Sequence, residues 1–319
     1  MLSFSSEAKN ELVRTITDKT CCQKTELTAL LRMCGRLLIG GRGTLGVVAV
    51  TEHAGVARKI LMLLKKQGQV PTETLVRKNR RLKKHNTYVL RVPPCLEGTS
   101  LLKKIGMIST DNGIAESDRR LWKRSCCRRA YLRGVFEGGG SVNKPAGEYH
   151  LELVTDNDDF SKALVKLLQS FNLQAGLSSR KQDCVIYLKG ADQITEFLNI
   201  IGAHNALLLF ENARVVKEVR NRVNRIVNCE TANLGKTINA AVRQVSKIRM
   251  LAERGVLKRL SPALQEIADV RLEYPEASLQ ELVGLLDGKV GKSGINHRLR
   301  KLEQIADDYE DEQRGDNNR

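Results

Sequence analysis

Apolar residues recur along this chain with two different periods, and the order in which those periods alternate repeats. In the first pass, helical spacing over residues 26–37 gives way to a strand-like LGVVAVT at 45–51 and an amphipathic helix over 56–67. Strands follow over 72–77 and 87–92, then a helix over 96–105. The second pass sets a helix at 126–137, the strand YHLELVT at 149–155 and a helix at 160–171. Strands at 174–179 and 184–189 and a helix at 194–201 complete it. VVAVT matches LELVT at an offset of 104, and both passes close on Ile-Gly, at Ile105-Gly106 and Ile201-Gly202. Two αββαββ copies, at about 20–108 and 124–204, predict an α+β fold class with a pseudo-two-fold, two-sheet domain over 1–205. A charged segment near 111–123 joins the copies.

Beyond Gly202 only helical spacing remains. A helix over 207–226 carries Arg214, Lys217, Arg220, Arg222 and Arg225, and another over 234–254 ends near Gly255. Three short helices and an acidic tail complete the chain. The pattern divides this part into a basic linker helix (206–227), an all-α domain (228–308) and a tail (309–319) expected to be disordered.

Charge narrows the function. The 319 residues hold 53 Lys and Arg against 36 Asp and Glu, a net charge of +17. Residues 307–319 contribute six acids and two arginines, so the rest of the chain carries +21. Such an excess favours a polyanionic partner, because each neutralised phosphate releases counterions. No apolar run approaches the roughly 18 residues of a membrane span, and the opening MLSFSSEAKNELVR lacks a secretory apolar region. A soluble, cytoplasmic protein without a membrane partner is expected. The cysteines (21, 22, 34, 95, 126, 127, 184 and 229) form no CxxC, and the five histidines form no HxxxH pair. Reduced, mostly buried thiols are expected, with no metal and no cofactor.

The second copy opens with Leu132-Arg133-Gly134-Val135-Phe136-Glu137-Gly138-Gly139-Gly140, which resembles the LAGLIDADG signature. In that family two such helices pair at the junction of the halves. Gly134 and Gly138, four apart, suit a close helix approach, and each otherwise costs about 1 kcal/mol relative to alanine. The matching stretch of the first copy, Leu27 to Gly35, keeps the terminal glycine and little else. Cleaving members place a metal-binding acid at the eighth position of each motif, as a hard cation requires. Here those positions are Cys34 and Gly139, so the motif is degenerate and no catalytic residue is assigned. Glu137, at the sixth position, is expected to solvate or cap the helix end.

Other chemistry is decoy. Gly235-Lys236-Thr237 lacks the earlier glycine and the strand of a phosphate loop. Gly40-Gly41-Arg42-Gly43 reads as a hairpin turn, and Asp156-Asn157-Asp158-Asp159 as a helix cap. Basic residues cluster at Arg77, Lys78, Arg80, Arg81, Lys83 and Lys84, on an expected hairpin tip, and again from Arg119 to Arg133. Aromatic residues make up 4% of the chain, too few for a base-stacking single-strand binder, so phosphate contacts to a duplex fit better. An ordinary solvated face is the alternative for either cluster.

The C-terminal segment is more specific. Ser261-Pro262 opens a helix, and Ser278-Leu279-Gln280-Glu281 is a capping box opening a second, with Leu279, Leu282, Val283 and Leu286 on one side. After the turn Asp287-Gly288-Lys289, Ile295, Leu299, Leu302 and Ala306 form one apolar stripe. Lys292, Ser293, Asn296, His297, Arg298, Arg300 and Lys301 are then the candidate DNA-binding residues of a recognition helix in a helix-turn-helix, beside Arg77, Arg80, Arg81 and Lys83 of the hairpin. A plain three-helix bundle is the alternative.

From SFSSEAKNEL through YLRGVFEGGGSVNKP to ANLGKT and SGINHRLRKL, nearly the whole chain resembles the WhiA regulators of Gram-positive bacteria. The resemblance implies a nucleoid DNA-binding protein with roles in cell division, chromosome segregation and, in sporulating actinobacteria, sporulation. Double-stranded DNA is the expected partner, and RNA polymerase or a sigma factor is a candidate protein partner. The alternatives are a non-specific nucleoid or RNA-binding structural protein and a nuclease working through Glu137.

Overall fold

Alternation of apolar residues decides which strand faces are covered, and both halves of the chain solve that problem in the same way. The structure, a computed structural model, describes residues 3–78, 86–108 and 121–316. It separates into two units, one up to Glu218 and one from Val219 onward.

In the first unit a short helix, α1 (Phe4–Leu12), precedes the first half. That half runs α2 (Thr20–Cys34), β1 (Gly35–Ile39), β2 (Leu45–Thr51), α3 (Ala54–Gln67), β3 (Glu73–Lys78), β4 (Asn86–Cys95) and α4 (Leu96–Ile105). The second repeats it as α5 (Ser125–Gly139), β5 (Gly140–Val142), β6 (His150–Thr155), α6 (Asp158–Gln169), β7 (Gly176–Arg180), β8 (Asp183–Lys189) and α7 (Ala191–Ile201). The sheets are antiparallel with equivalent orders, β1-β2-β4-β3 and β5-β6-β8-β7. Val47 faces Val92 and Ala49 faces Leu90 in one; Leu151 faces Leu188 and Leu153 faces Ile186 in the other. These eight residues are buried, and each half packs its own apolar cluster against them. Both closing helices end where Gly106 (φ 81°) and Gly202 (φ 84°) take the left-handed conformation, which explains the repeated Ile-Gly.

Some sequence expectations give way. Helical spacing runs through Leu37, but α2 stops at Cys34 and Gly35 starts β1. A Cβ on Gly35 would lie 2.3 Å from the Leu31 carbonyl oxygen, so only glycine turns the chain so sharply from helix into strand. The Gly40–Gly43 segment is indeed the link between paired β1 and β2. Asn157 caps α6, its side chain accepting from the Phe160 amide at 2.8 Å.

The two helices expected over 207–226 and 234–254 are one, α8 (His204–Glu253). The intervening VNCETAN contains neither proline nor glycine, so nothing interrupts propagation, and Gly235 costs about 1 kcal/mol without breaking the helix. The helix start is fixed by Glu11 of α1, whose carboxylate accepts from the Asn205 and Ala206 amides at 2.8 and 3.0 Å.

The second unit adds α9 (Pro262–Glu273), α10 (Leu279–Leu285) and α11 (Lys292–Asp316) to the C-terminal part of α8. Its core joins Ile248 and Leu251 of α8 to Ile267, Leu282 and the stripe Ile295, Leu299, Leu302 and Ala306. The tail expected to be disordered from residue 309 instead continues α11 to Asp316. A helix already anchored by Leu302 and Ala306 extends readily through residues with adequate helix propensity.

Candidate nucleic-acid interface

At the junction of the two halves, α2 and α5 pack along the degenerate motif. A Cβ on Gly134 would sit 2.6 Å from the Glu26 carbonyl oxygen, and one on Gly138 would sit 2.6 Å from Met33 Cβ. The glycines are therefore what permits this approach. At the motif ends the Cys34 thiol donates to the Leu30 carbonyl at 3.0 Å, and burial pushes that thiol up to about 12. Gly139 offers no side chain. Neither position supplies an oxygen ligand for a hard cation.

Glu137 does not solvate or cap the helix end. It is buried and its Oε1 accepts from Lys59 Nζ of α3 at 2.8 Å. The same ammonium donates to the Leu12 carbonyl at 2.9 Å and lies 2.5 Å from Glu26 Oε1. Glu26 in turn receives Arg133 Nε and Nη2 in a two-point clamp, both at 2.8 Å. Two acids and two bases thus neutralise one another, with Glu26, Lys59 and Glu137 out of contact with water and Arg133 at the edge of an open cleft. Burial pushes the Glu137 carboxyl up to about 7 against the pull of Lys59, and the adjacent Glu26 charge adds to the rise. Its Oε2 has no hydrogen-bond partner among the described residues. A carboxylate spent on this network is ill placed to hold a catalytic metal.

The helix-turn-helix has the local geometry its sequence calls for. Ser278 Oγ accepts from the Glu281 amide at 3.3 Å, and Glu281 accepts from the Ser278 amide at 2.7 Å, completing the capping box. Ser261 precedes Pro262 at the start of α9 but makes no side-chain cap. The reversal after α10 places Asp287 (φ 54°) and Gly288 (φ 70°) in the left-handed region, with the Gly288 amide donating to the Val283 carbonyl at 3.0 Å. α11 then starts at Lys292, with no acid in its first turn to claim the free amides.

Seen along α11, Ile295, Leu299, Leu302 and Ala306 have no exposure at all, while Lys292, Ser293, His297, Arg300 and Lys301 are exposed. Asn296 is half-buried on the flank. Arg298 turns toward α9, its Nη1 3.8 Å from Glu266 Oε2 and 3.5 Å from the Ala263 carbonyl.

The basic clusters divide. Arg77 and Lys78 are exposed on β3; Arg80, Arg81 and Lys83 lie outside the described residues, as do Arg119 and Arg120. Lys123, Arg124 and Arg129 are exposed, Arg128 lies 5.2 Å from the Phe171 ring centroid, and Arg133 is committed to Glu26. Among the described residues the second cluster is therefore no continuous basic face.

One grouping is not found by motif spacing. Cys21 and Cys22 of α2 meet Cys126 and Cys127 of α5, with all four sulfurs within 4.8 Å of one another. The sequence does carry a signal for it: each Cys-Cys pair stands five residues ahead of its copy of the motif, so the pairs are equivalent under the repeat. A CxxC pattern does not detect adjacent cysteines brought together from two helices.

Comparison with known proteins agrees with this architecture. Three family models match in chain order: the WhiA N-terminal LAGLIDADG-like domain over 20–108, the WhiA LAGLIDADG-like domain over 128–220 and the WhiA C-terminal HTH domain over 223–306. A relative from Heliobacterium modesticaldum, named probable cell division protein WhiA, is 50% identical over 309 residues, covering 97% of each chain. A relative of the same name from Desulforamulus reducens is 50% identical over 311 residues, covering 96% of each. The crystal structure of full-length WhiA from Thermatoga maritima shares 26% identity and superimposes with a TM-score of 0.58 over 96% of this chain and 98% of that one. With its two LAGLIDADG-like halves and its helix-turn-helix, this chain belongs to the WhiA family.

Proposed function

We propose that this protein is a non-enzymatic, sequence-specific binder of duplex DNA that regulates transcription in connection with cell division. The observation that carries the reading is α11. A fully buried apolar stripe fixes its rotation, and the opposite face presents Lys292, Ser293, His297, Arg300 and Lys301 with Asn296 at its edge. Arg and Asn have the paired donors and acceptors that read guanine and adenine edges in the major groove, while Lys and Ser suit phosphates. Arg77, Arg80, Arg81 and Lys83 add phosphate contacts from the body. The absence of a side-chain oxygen at Cys34 and Gly139, with Glu137 held by Lys59, supports binding without cleavage. On this reading the protein works at the nucleoid, with RNA polymerase or a sigma factor as the class of protein partner, and its targets serve cell division, chromosome segregation and, in sporulating relatives, sporulation.

The test is genome-wide mapping of bound sites, followed by titration of a mapped duplex and a scrambled one at one salt concentration, with a plasmid incubated in magnesium or manganese alongside. Expected are a preference of about 10³-fold or more for the mapped duplex and an intact plasmid. Equal affinity for both duplexes, or tighter binding to RNA, would overturn specificity. Metal-dependent nicking lost in Glu137→Gln would overturn the non-enzymatic reading.

A further inference from the structure

We propose that Cys21, Cys22, Cys126 and Cys127 form a tetrathiolate site for one soft divalent cation of the zinc type, clamping the two halves of the body at the N-terminal ends of α2 and α5. A tetrahedral zinc with Zn–S bonds of about 2.3 Å holds its sulfurs about 3.8 Å apart. Cys21 and Cys22 already stand at 3.9 Å, and no pair in the cluster exceeds 4.8 Å. Small side-chain rotations close the remainder. Sulfur donors in this number select zinc-like ions over magnesium or calcium.

The surroundings are built for negative charge. Four thiolates and a dication leave a net charge of −2. Both helices begin beside the cluster, and neither has a side-chain cap or an acid in its first turn. Their N-cap residues are instead the cations Lys19 and Arg124, an unfavourable choice at the positive end of a helix unless an anion is nearby. Thiolates at the second and third helical positions of each supply that anion.

A route in also exists. A cleft of about 920 Å³ reaches Cys22 and Cys126 past Arg129 and Arg133. Cys21 and Cys126 are partly exposed while Cys22 and Cys127 are buried, an arrangement that lets a cation enter and then be shielded.

The experiment purifies the full chain under reducing conditions and measures bound metal, then titrates metal-free protein with cobalt(II) and back-titrates with zinc. Expected are one metal per chain, a sulfur-to-cobalt charge-transfer band with the intense visible bands of tetrahedral thiolate coordination, and their loss when one equivalent of zinc is added. Cys21→Ser and Cys126→Ser, at the partly exposed positions, should each weaken zinc binding at least tenfold and remove the rise in melting temperature that zinc gives the parent. Cys229→Ser, on the exposed face of α8, serves as the control and should change neither. Folding of each variant is checked by circular dichroism. A parent that takes up no cobalt with thiolate bands, or binds it equally in Cys21→Ser, overturns the site. So does a thiol count showing the four cysteines paired as disulfides in protein kept under reducing conditions.

Discussion

Glu26, Lys59, Arg133 and Glu137 are buried at the α2–α5 junction, whereas Lys292, Ser293, His297, Arg300 and Lys301 of α11 all stand in water. Both sets are built from strongly polar residues on helices. At the junction these four charges are closed on one another, each acid paired with a base. The second unit has done the reverse: one stripe of α11 is packed completely, Glu303 and Asp307 further along the helix pair with Arg243 and Lys247 of α8, and Lys292, Ser293, His297, Arg300 and Lys301 stand exposed near its start. Buried polar groups are committed to structure and exposed ones remain available to a ligand. Substitutions in the two regions should therefore fail in different assays.

The largest expected effect is on the buried network. Lys59→Met leaves Glu137 without its one donor and removes a cation from Glu26. Stranding a buried charge in this way costs about 3–5 kcal/mol, read as a lower urea midpoint at unchanged slope. Arg300→Ala, on the open face of α11, should stay within about 0.5 kcal/mol of the parent in the same assay. Equal stability of the two variants would dissolve the contrast between the regions.

The packing beneath that network gives the next effect. In Gly134→Ala the new Cβ meets the Glu26 carbonyl oxygen at 2.6 Å and Ala29 Cβ at 2.9 Å, so α2 and α5 must separate. The overpacking costs about 1–3 kcal/mol, against a helix-propensity gain of about 1 kcal/mol. Gly235→Ala in α8 has open space around its Cβ and should keep that gain whole. Thermal unfolding of the pair separates glycine kept for proximity from glycine merely tolerated.

The open face is tested by binding. Asn296→Ala and Arg300→Ala should each cost about 1–3 kcal/mol on the preferred duplex, if the contacts are bidentate, and far less on a scrambled one. Replacing Arg77, Arg80, Arg81 and Lys83 together should weaken both duplexes alike and reduce the salt slope by about 0.9 for each phosphate no longer neutralised. Should the α11 variants bind both duplexes equally weakly, that helix only positions the backbone and the comparison loses its functional half.

Much of the fold is legible in the sequence, and the division between what is and what is not is physical. The repeated elements, the Ile-Gly caps, the capping box at Ser278 and the stripe on α11 all depend on neighbours within a turn or two, so periodicity carries them. The role of Glu137 depends on Lys59, 78 residues away, and that of Arg133 on Glu26, 107 away. Local sequence offers no trace of such pairings, and a terminal Glu reads as solvated by default. The cysteine cluster lies between these cases: its residues come from distant segments, but the repeat relates them. The continuity of α8 is hidden because a polar stretch lacking apolar periodicity reads as a break, though nothing in VNCETAN stops a helix.

The last effect concerns the protonation of the buried network, and it is spread over several pH units. Burial, reinforced by the Glu26 charge, raises the Glu137 carboxyl to about 7 in the folded protein, above the ordinary value of 4.5. Between these two pH values the folded state holds a proton that the unfolded chain has released. The stability this proton contributes is fully present below the unfolded value and is lost as pH rises through the folded one. One such group changes stability by at most about 1.4 kcal/mol per pH unit. Lys59, Arg133 and Lys9 pull the other way, favouring the ionised carboxylate, and the unpartnered Oε2 is where the proton would reside. Glu137→Gln removes the titration while keeping the shape of the side chain. Urea midpoints of parent and variant should therefore diverge across the window from about pH 5 to pH 8, with the parent losing stability relative to the variant as pH rises. Parallel curves would mean that Glu137 stays ionised throughout, held by Lys59 as tightly as the burial resists it.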